Sequence, residues 1–441
     1  MKGDIKEKEK IDILEALADA CIYFSKEADE ILNYYFLSKA AIKQDYAKKK
    51  SAIPESYAIM ELFNSVYKAK SNEERNEKIT EIKASIINDK YRLSDIFSDL
   101  SYDENTSLLS YSFKERKFNK YNPTKARYLD REYGHMMMAA KTSMLSNAII
   151  TYEKFLANLY KQLIYCDPCL YFEAKTVLVQ ELLSNNLNDL LDNKTDELVE
   201  ADMYDSLELT KKIFEKERIN TEKVMEVLKR FEETYYRRNI YVHNGGEVNG
   251  TYLFKVKTSK NKVGDFLSCS DEYFSNAITD IKCLITFITF SIILKVGYDD
   301  DGIDSLIDYY FSELKDKKYD FTKYAYSLLS SNKKCPLCYR MIYEVNYLIS
   351  LKGLSDSEFK KELATFDVSA SDDKFKIAKA VFEEDYQKAH DLIEDNYETE
   401  QTPFQLADWP LYEDFRKTDY YNQIVINHQT DFNNLKEVDS K

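Results

Sequence analysis

The stretch Leu145-Ser-Asn-Ala-Ile-Ile-Thr-Tyr-Glu-Lys-Phe-Leu-Ala-Asn-Leu-Tyr-Lys-Gln-Leu163 decides the fold class. Leu145, Ile149, Tyr152, Leu156, Leu159 and Leu163 recur at steps of three and four, which places all six on one side of an α-helix. Cys166-Asp-Pro168 marks its end, because proline has no amide hydrogen to continue the ladder. Around this helix the chain has few breakers, with 9 glycines and 6 prolines in 441 residues. Average usage is about 7% and 5% respectively. Sandwiches, Gly-rich nucleotide folds and collagen-like or linker-rich architectures are excluded by that scarcity, and an all-α, multi-domain helical protein is expected.

Three segments are read. Residues 1–128 alternate helical patterns with charged connectors, broken at Ser51-Ala-Ile-Pro54 and Tyr121-Asn-Pro123, and form an N-terminal helical domain. Residues 129–298 hold a helical bundle. Residues 299–441 hold helices over Tyr319 to Leu329, Tyr339 to Lys352 and Phe375 to Ile393. The last of these splits into an antiparallel pair with a tight turn at Glu384-Asp385, similar to tetratricopeptide-type hairpins, although no repeat recurs at a fixed period.

Net charge is −15 overall. Val381 to Lys441 carries 15 acidic and 5 basic residues, so this tail supplies −10 of it and the remaining 380 residues are only mildly acidic. Bulk electrostatics therefore cannot hold nucleic acid, and a basic face must be local. Lys114, Arg116, Lys117 and Lys120, with Phe118 and Tyr121 interleaved, have a composition suited to phosphate contact and base stacking. A solvated connector is the plainer reading. The longest apolar run, Cys283 to Leu294 between Lys282 and Lys295, is short for a membrane span and reads as a buried helix. The N-terminus lacks the apolar region of a signal peptide, so a cytoplasmic location with reduced thiols and no membrane is expected.

The sharpest punctuation is Asn244-Gly-Gly-Glu-Val-Asn-Gly250, where three of the nine glycines crowd together. Before it lies a helix with Val224, Leu228, Phe231, Tyr235 and Val242 on its apolar face and Arg238, Asn239 and His243 emerging near the last turn. Asn239 and His243 are four apart, within reach of each other. Gly245 or Gly246 ends the helix by taking positive φ at low cost. His243 sits where the helix dipole favours a cation, which suits a general acid, and Arg238 can clamp a phosphate. A fixed cation and a titratable imidazole suffice for metal-free RNA cleavage, because the substrate brings its own 2′-hydroxyl nucleophile. A structural Arg and His at a helix end is the alternative. After the glycines, Tyr252 to Lys257 alternates enough for a short strand or hairpin arm, and Ser270 opens a helix running to Lys295.

Arg238-Asn-Ile-Tyr-Val-His243, followed by Asn-Gly-Gly and Val248-Asn-Gly-Thr-Tyr-Leu, resembles the Arg-polar-x-x-x-His motif of the HEPN superfamily. These are helical ribonucleases of bacterial toxin–antitoxin, abortive-infection and anti-phage systems. The order of the surrounding segments is also similar: a long helix with Tyr152-Glu-Lys-Phe155, a segment opening Lys175-Thr-Val-Leu-Val, the motif helix, a short loop, and a closing helix over Tyr273 to Lys295. The resemblance covers about residues 130 to 297. It implies an endoribonuclease whose catalytic residues are Arg238, Asn239 and His243, with Arg237 and Asn244 beside them contacting RNA. It further implies a homodimer whose two motifs face one cleft, no cofactor, and a trigger or antitoxin acting on the flanking helices. Arg237 could stand in register for Arg238. Some members of the superfamily are inactive dimerisation modules, so a protein-binding scaffold is the other expectation.

Cys166-Asp-Pro-Cys169 and Cys335-Pro-Leu-Cys338 are read as helix-boundary cysteines, with a four-thiolate zinc site as the alternative. His135, His390 and His428 are isolated from metal-spaced ligands. Trp409 reads as a core anchor.

Overall fold

The computed structural model describes residues 7–87, 91–103, 105–172, 186–257, 259–297, 300–397 and 403–438. The segment at Lys175-Thr-Val-Leu-Val lies outside the described residues. Helix predominates, as the scarcity of glycine and proline dictates. The chain packs as two units, Ile31–Met144 and the remainder. Of the domain limits drawn from sequence, 128/129 falls inside a continuous helix.

The smaller unit contains the second part of α1 (Glu7–Ser51) from Ile31 onward, α2 (Pro54–Lys68), α3 (Asn72–Ala84), the strands β1 (Ile86–Ile87) and β2 (Tyr91–Arg92), and the single turn α4 (Leu93–Ile96). It continues through strands β3 (Phe97–Asp103) and β4 (Leu108–Phe113) and the first half of α5 (Pro123–Cys166). Strands are not expected in this N-terminal segment, which reads as helices and charged connectors. β3 and β4 form an antiparallel hairpin, with Phe97 opposite Phe113, Leu100 opposite Tyr111 and Asp103 opposite Leu108. The Asp103 carboxylate accepts the Asn105 amide and the Thr106 hydroxyl, and Ser107 takes a positive φ of 54°, closing the turn without glycine. One face of this hairpin packs with α2 and α3 around Phe63, Val66 and Ile82.

The basic segment lies in the same unit as a 3-10 turn, Arg116–Tyr121. Phe118 and Tyr121 are buried in the core, so base stacking by these rings is overturned. Apolar rings at this spacing in a tight turn point inward while the intervening cations face water. Lys114, Arg116, Lys117 and Lys120 are exposed, Lys117 lying 2.8 Å from Glu115 and Lys120 3.7 Å from Glu55.

The larger unit takes up the second half of α5, in which Leu145, Ile149, Tyr152, Leu156, Leu159 and Leu163 are all buried as their spacing requires. There follow α6 (Pro168–Tyr171), α7 (Leu187–Asp202), α8 (Ser206–Lys216), α9 (Met225–Asn244), α10 (Gly250–Lys255) and α11 (Asp271–Val296). Ser270 caps α11 by accepting the Tyr273 amide at 3.0 Å. Every residue from Asp280 to Phe290 is buried, so the middle of α11 is covered on all sides. It is long and apolar enough to cross a membrane, and 83% of its most apolar window is buried within the protein. Lys282 is buried with it, its ammonium donating to Asp29 at 2.6 Å and Glu313 at 3.2 Å and lying over the Phe321 ring.

Helices α12 (Asp300–Lys315), α13 (Tyr319–Ser331), α14 (Leu337–Gly353), α15 (Phe359–Thr365), α16 (Asp373–Phe382) and α17 (Tyr386–Asp395) continue the unit. Helices α18 (Pro403–Asp408), α19 (Asp419–Asn427) and α20 (Gln429–Val438) complete it. α13 pairs with α14, and α16 with α17, whose turn is made by Glu384 at a positive φ of 61°. His390 and His428 are not isolated: His428 Nε2 lies 3.0 Å from Glu394, and His390 Nε2 3.9 Å from the same carboxylate. The 34 residues between Glu394 and His428 hid this meeting.

Candidate active site

Helix α9 packs Val227, Leu228, Phe231, Thr234, Tyr235, Ile240 and Tyr241 inward. Phe231 meets Tyr152 of α5 edge to face, ring centres 4.5 Å apart, and Arg230 grips the buried Asp280 of α11 through Nε and Nη2. Val242, expected on this face, is 56% exposed. Val242, His243 and Asn244 are all exposed, and the last turn is anchored by Tyr241 instead, whose hydroxyl donates to the Leu267 carbonyl at 3.3 Å. Burial raises the Tyr241 phenol to about 12, so it stays a donor at neutral pH.

Gly245 and Gly246 both take positive φ, 60° and 95°, and the Gly246 amide donates to the Ile240 carbonyl at 3.1 Å. The chain then pins itself: Val248 donates to Asp265 and Leu267 to Gly246, with Glu247 bridging Phe266 antiparallel. The expected strand over Tyr252 to Lys257 is corrected. Asn249 accepts the Tyr252 amide at 2.9 Å and starts the short helix α10, because antiparallel pairing is already taken by residues 246–248 with 264–267.

The two neighbouring arginines have different surroundings. Arg237 Nε donates to Glu233 at 2.7 Å, its Nη1 to the Ser268 carbonyl at 2.5 Å, and its guanidinium lies 4.3 Å from the Tyr273 ring centre. Glu233 also receives the hydroxyls of Tyr252 and Tyr273, each at 2.6 Å. Burial and the Glu233 carboxylate hold the Tyr273 phenol well above its ordinary value. Arg237 is thus the centre of a knot that ties α9 to α10 and α11. Arg238 turns towards α5, where Nη2 donates to Glu153 Oε1 at 2.8 Å, an oxygen that also accepts the Ser206 hydroxyl at 3.3 Å. Its Nε is buried without a hydrogen-bond partner among the described residues.

His243 is exposed on the last turn and has no hydrogen-bond partner among the described residues. Asn244 beside it is exposed, and Asn239 is half-buried. No side-chain hydrogen bond joins Arg238, Asn239 and His243 to one another among the described residues, so the reach of the Asn239 amide to the imidazole that their spacing allows is not used. Five residues separate Arg238 from His243, about 140° around an ideal helix, which explains why one chain does not converge them. Glu153 is the residue the sequence reading passed over. Its signal was a carboxylate inside the apolar stripe of α5, beside Tyr152 and Leu156.

Cys166 and Cys169 are free thiols at the junction of α5 and α6, and Cys338 is another at the start of α14. Among the described residues no group of three or more His, Cys, Asp or Glu side chains is disposed to hold a metal ion. Compared with protein families, curated proteins and solved structures, the chain matches none.

Proposed function

We propose that the chain is a metal-independent endoribonuclease of HEPN type that works as a homodimer in the cytosol, in anti-phage defence or a toxin–antitoxin pair. The observation that carries this reading is His243: an exposed imidazole without a partner among the described residues at the carboxyl end of a firmly packed helix, a little over one turn beyond the half-buried Arg238. Four large apolar side chains lie exposed in the same stretch of chain, Val242, Phe254, Val263 and Phe266, and favour a second copy docking there. In the reaction the 2′-oxygen of RNA bonds to phosphorus and the bond from phosphorus to the 5′-oxygen breaks. One proton leaves the 2′-hydroxyl and one reaches the departing 5′-oxygen, with His243 moving protons and Arg238 stabilising charge on the phosphoryl oxygens. The products are a 2′,3′-cyclic phosphate and a 5′-hydroxyl end. Asn244 contacts RNA beside the pair, whereas Arg237, expected there too, is committed to Glu233 and the Ser268 carbonyl and holds the helix end instead; the acidic C-terminal hairpins receive a trigger or antitoxin.

The ion pair between Arg238 and Glu153 favours a second reading, an inactive dimer serving as a protein-binding scaffold, because it directs the guanidinium away from the imidazole. RNA cleavage in EDTA separates the two. The nuclease reading expects cutting that disappears in His243→Ala and Arg238→Ala, and toxicity on expression with the same dependence. Wild-type protein inert under every trigger, or His243→Ala cutting as well as wild type, sinks it.

A further inference from the structure

A cavity of about 270 Å³ opens in the larger unit, far along the chain from the motif helix. Phe311 of α12, Tyr326 of α13, Tyr343 of α14, Phe404 of α18 and Trp409 just after it line its sides. Trp409, expected as a core anchor, is only half-buried, and its indole N–H donates to Asn346 Oδ1 at 2.9 Å, which fixes the ring at the wall. Tyr326 and Tyr343 stack with ring centres 6.2 Å apart and planes at 28°.

Two carboxylates belong to the same lining, Asp308 and Asp408. Asp408 is shared with Lys315 at 3.1 Å, whereas Asp308 is exposed and has no ion-pair partner among the described residues. Lys374 is the one cation of the lining among the described residues, and it lies 3.6 Å from Asp372.

Aromatic faces carry negative quadrupole potential, so a box of rings with a free carboxylate attracts a soft, weakly hydrated cation more than any other small solute. An anion meets two carboxylates there. A neutral hydrocarbon gains only burial. Size narrows the class further, since the volume lies just below the usual range of about 300–1,000 Å³ for drug-sized ligands and admits a head group of a few carbons around nitrogen. The surrounding chain from Val381 onward contributes −10 of net charge and draws cations towards this end.

We propose that this cavity is a binding site for a small organic cation of the alkylammonium class, seated against Trp409 and Phe404 with its charge facing Asp308, the Phe311 ring being already met by the Lys315 ammonium at 5.4 Å. The site does not depend on the nuclease reading, and either can fail alone.

Trp409 is the single tryptophan of the sequence, so intrinsic fluorescence reports on this cavity directly. Full-length protein is titrated at constant ionic strength with choline, and in parallel with its uncharged isostere in which carbon replaces nitrogen. Calorimetry provides a second isotherm. Choline should give a saturable change in both, with the isostere at least about tenfold weaker. Asp308→Asn and Phe404→Ala, both at exposed positions and checked for fold by circular dichroism, should each weaken choline several-fold. Flat choline isotherms by both methods overturn the proposal. Equal response to the neutral isostere, or full affinity in Asp308→Asn, overturns it as well.

Discussion

Replacing Glu153 with glutamine tests whether Arg238 is held or free. The pair is largely withdrawn from water, with 17% of the arginine side chain and 24% of the glutamate side chain exposed, and it closes through one 2.8 Å hydrogen bond. At a charge separation of about 4 Å and an effective dielectric near 20, the Coulomb attraction is about 4 kcal/mol. Desolvation and the ordering of two long side chains offset much of it, leaving about 1.5–3 kcal/mol for a hydrogen bond to a charged group. Glutamine keeps the shape and one acceptor but removes the charge, so Glu153→Gln should lower stability by about 1–2 kcal/mol. Glu153→Ala should cost more, because Arg238 then loses its partner and Ser206 its acceptor. The assay is urea unfolding of the single variants, of Arg238→Met and of the double variant, followed by Trp409 fluorescence and circular dichroism. A coupling energy of about 1 kcal/mol or more is expected from the cycle. Coupling below about 0.5 kcal/mol would refute the reasoning, since Arg238 would then already be as free as His243.

Two further outcomes follow from charges elsewhere in the larger unit. Lys282→Met should destabilise by about 3 kcal/mol in urea unfolding, because it strips the buried ammonium from Asp29 and Glu313 and leaves Lys318 as their ion-pair partner among the described residues. Adding Glu313→Gln should recover part of that loss, and an additive double variant would contradict the pairing. The Asp414 carboxyl is held below the usual carboxylate range by the ammonium groups of Lys417 and Lys352. Its folded value is depressed, so its contribution is fully present above the ordinary aspartate value of about 3.9 and is lost as pH falls through the folded value. Asp414→Asn should therefore flatten the acid limb of stability against pH, and an unchanged limb would speak against this contact.

The helical class and the path of α5 were legible because amphipathic spacing is local information: six residues at steps of three and four suffice to orient a helix. The cap at Gly245, the start of α11 at Ser270 and the turn before α17 were legible for the same reason, since each is set within a few residues. The hairpin of β3 and β4 was not, because its pairing joins residues 16 apart, Phe97 and Phe113, and its turn closes with Ser107 rather than glycine. The strand expected after Asn249 failed in the opposite way. Alternation was present, but an asparagine cap and an already occupied partner edge won over it. At the site, residue types and spacing gave the motif helix and its glycine end. They could not give Glu153, whose meeting with Arg238 spans 85 residues, nor the division of labour between Arg237 and Arg238 that only the Glu233 knot reveals.

Helix α11 has no bare side along its middle, and it touches α9 along one flank and α13 along another. A rod clamped all round cannot slide or roll without tearing its surroundings, so it conveys force as a whole. Amides in its middle should be among the last to exchange in heavy water, opening only when the entire unit comes apart.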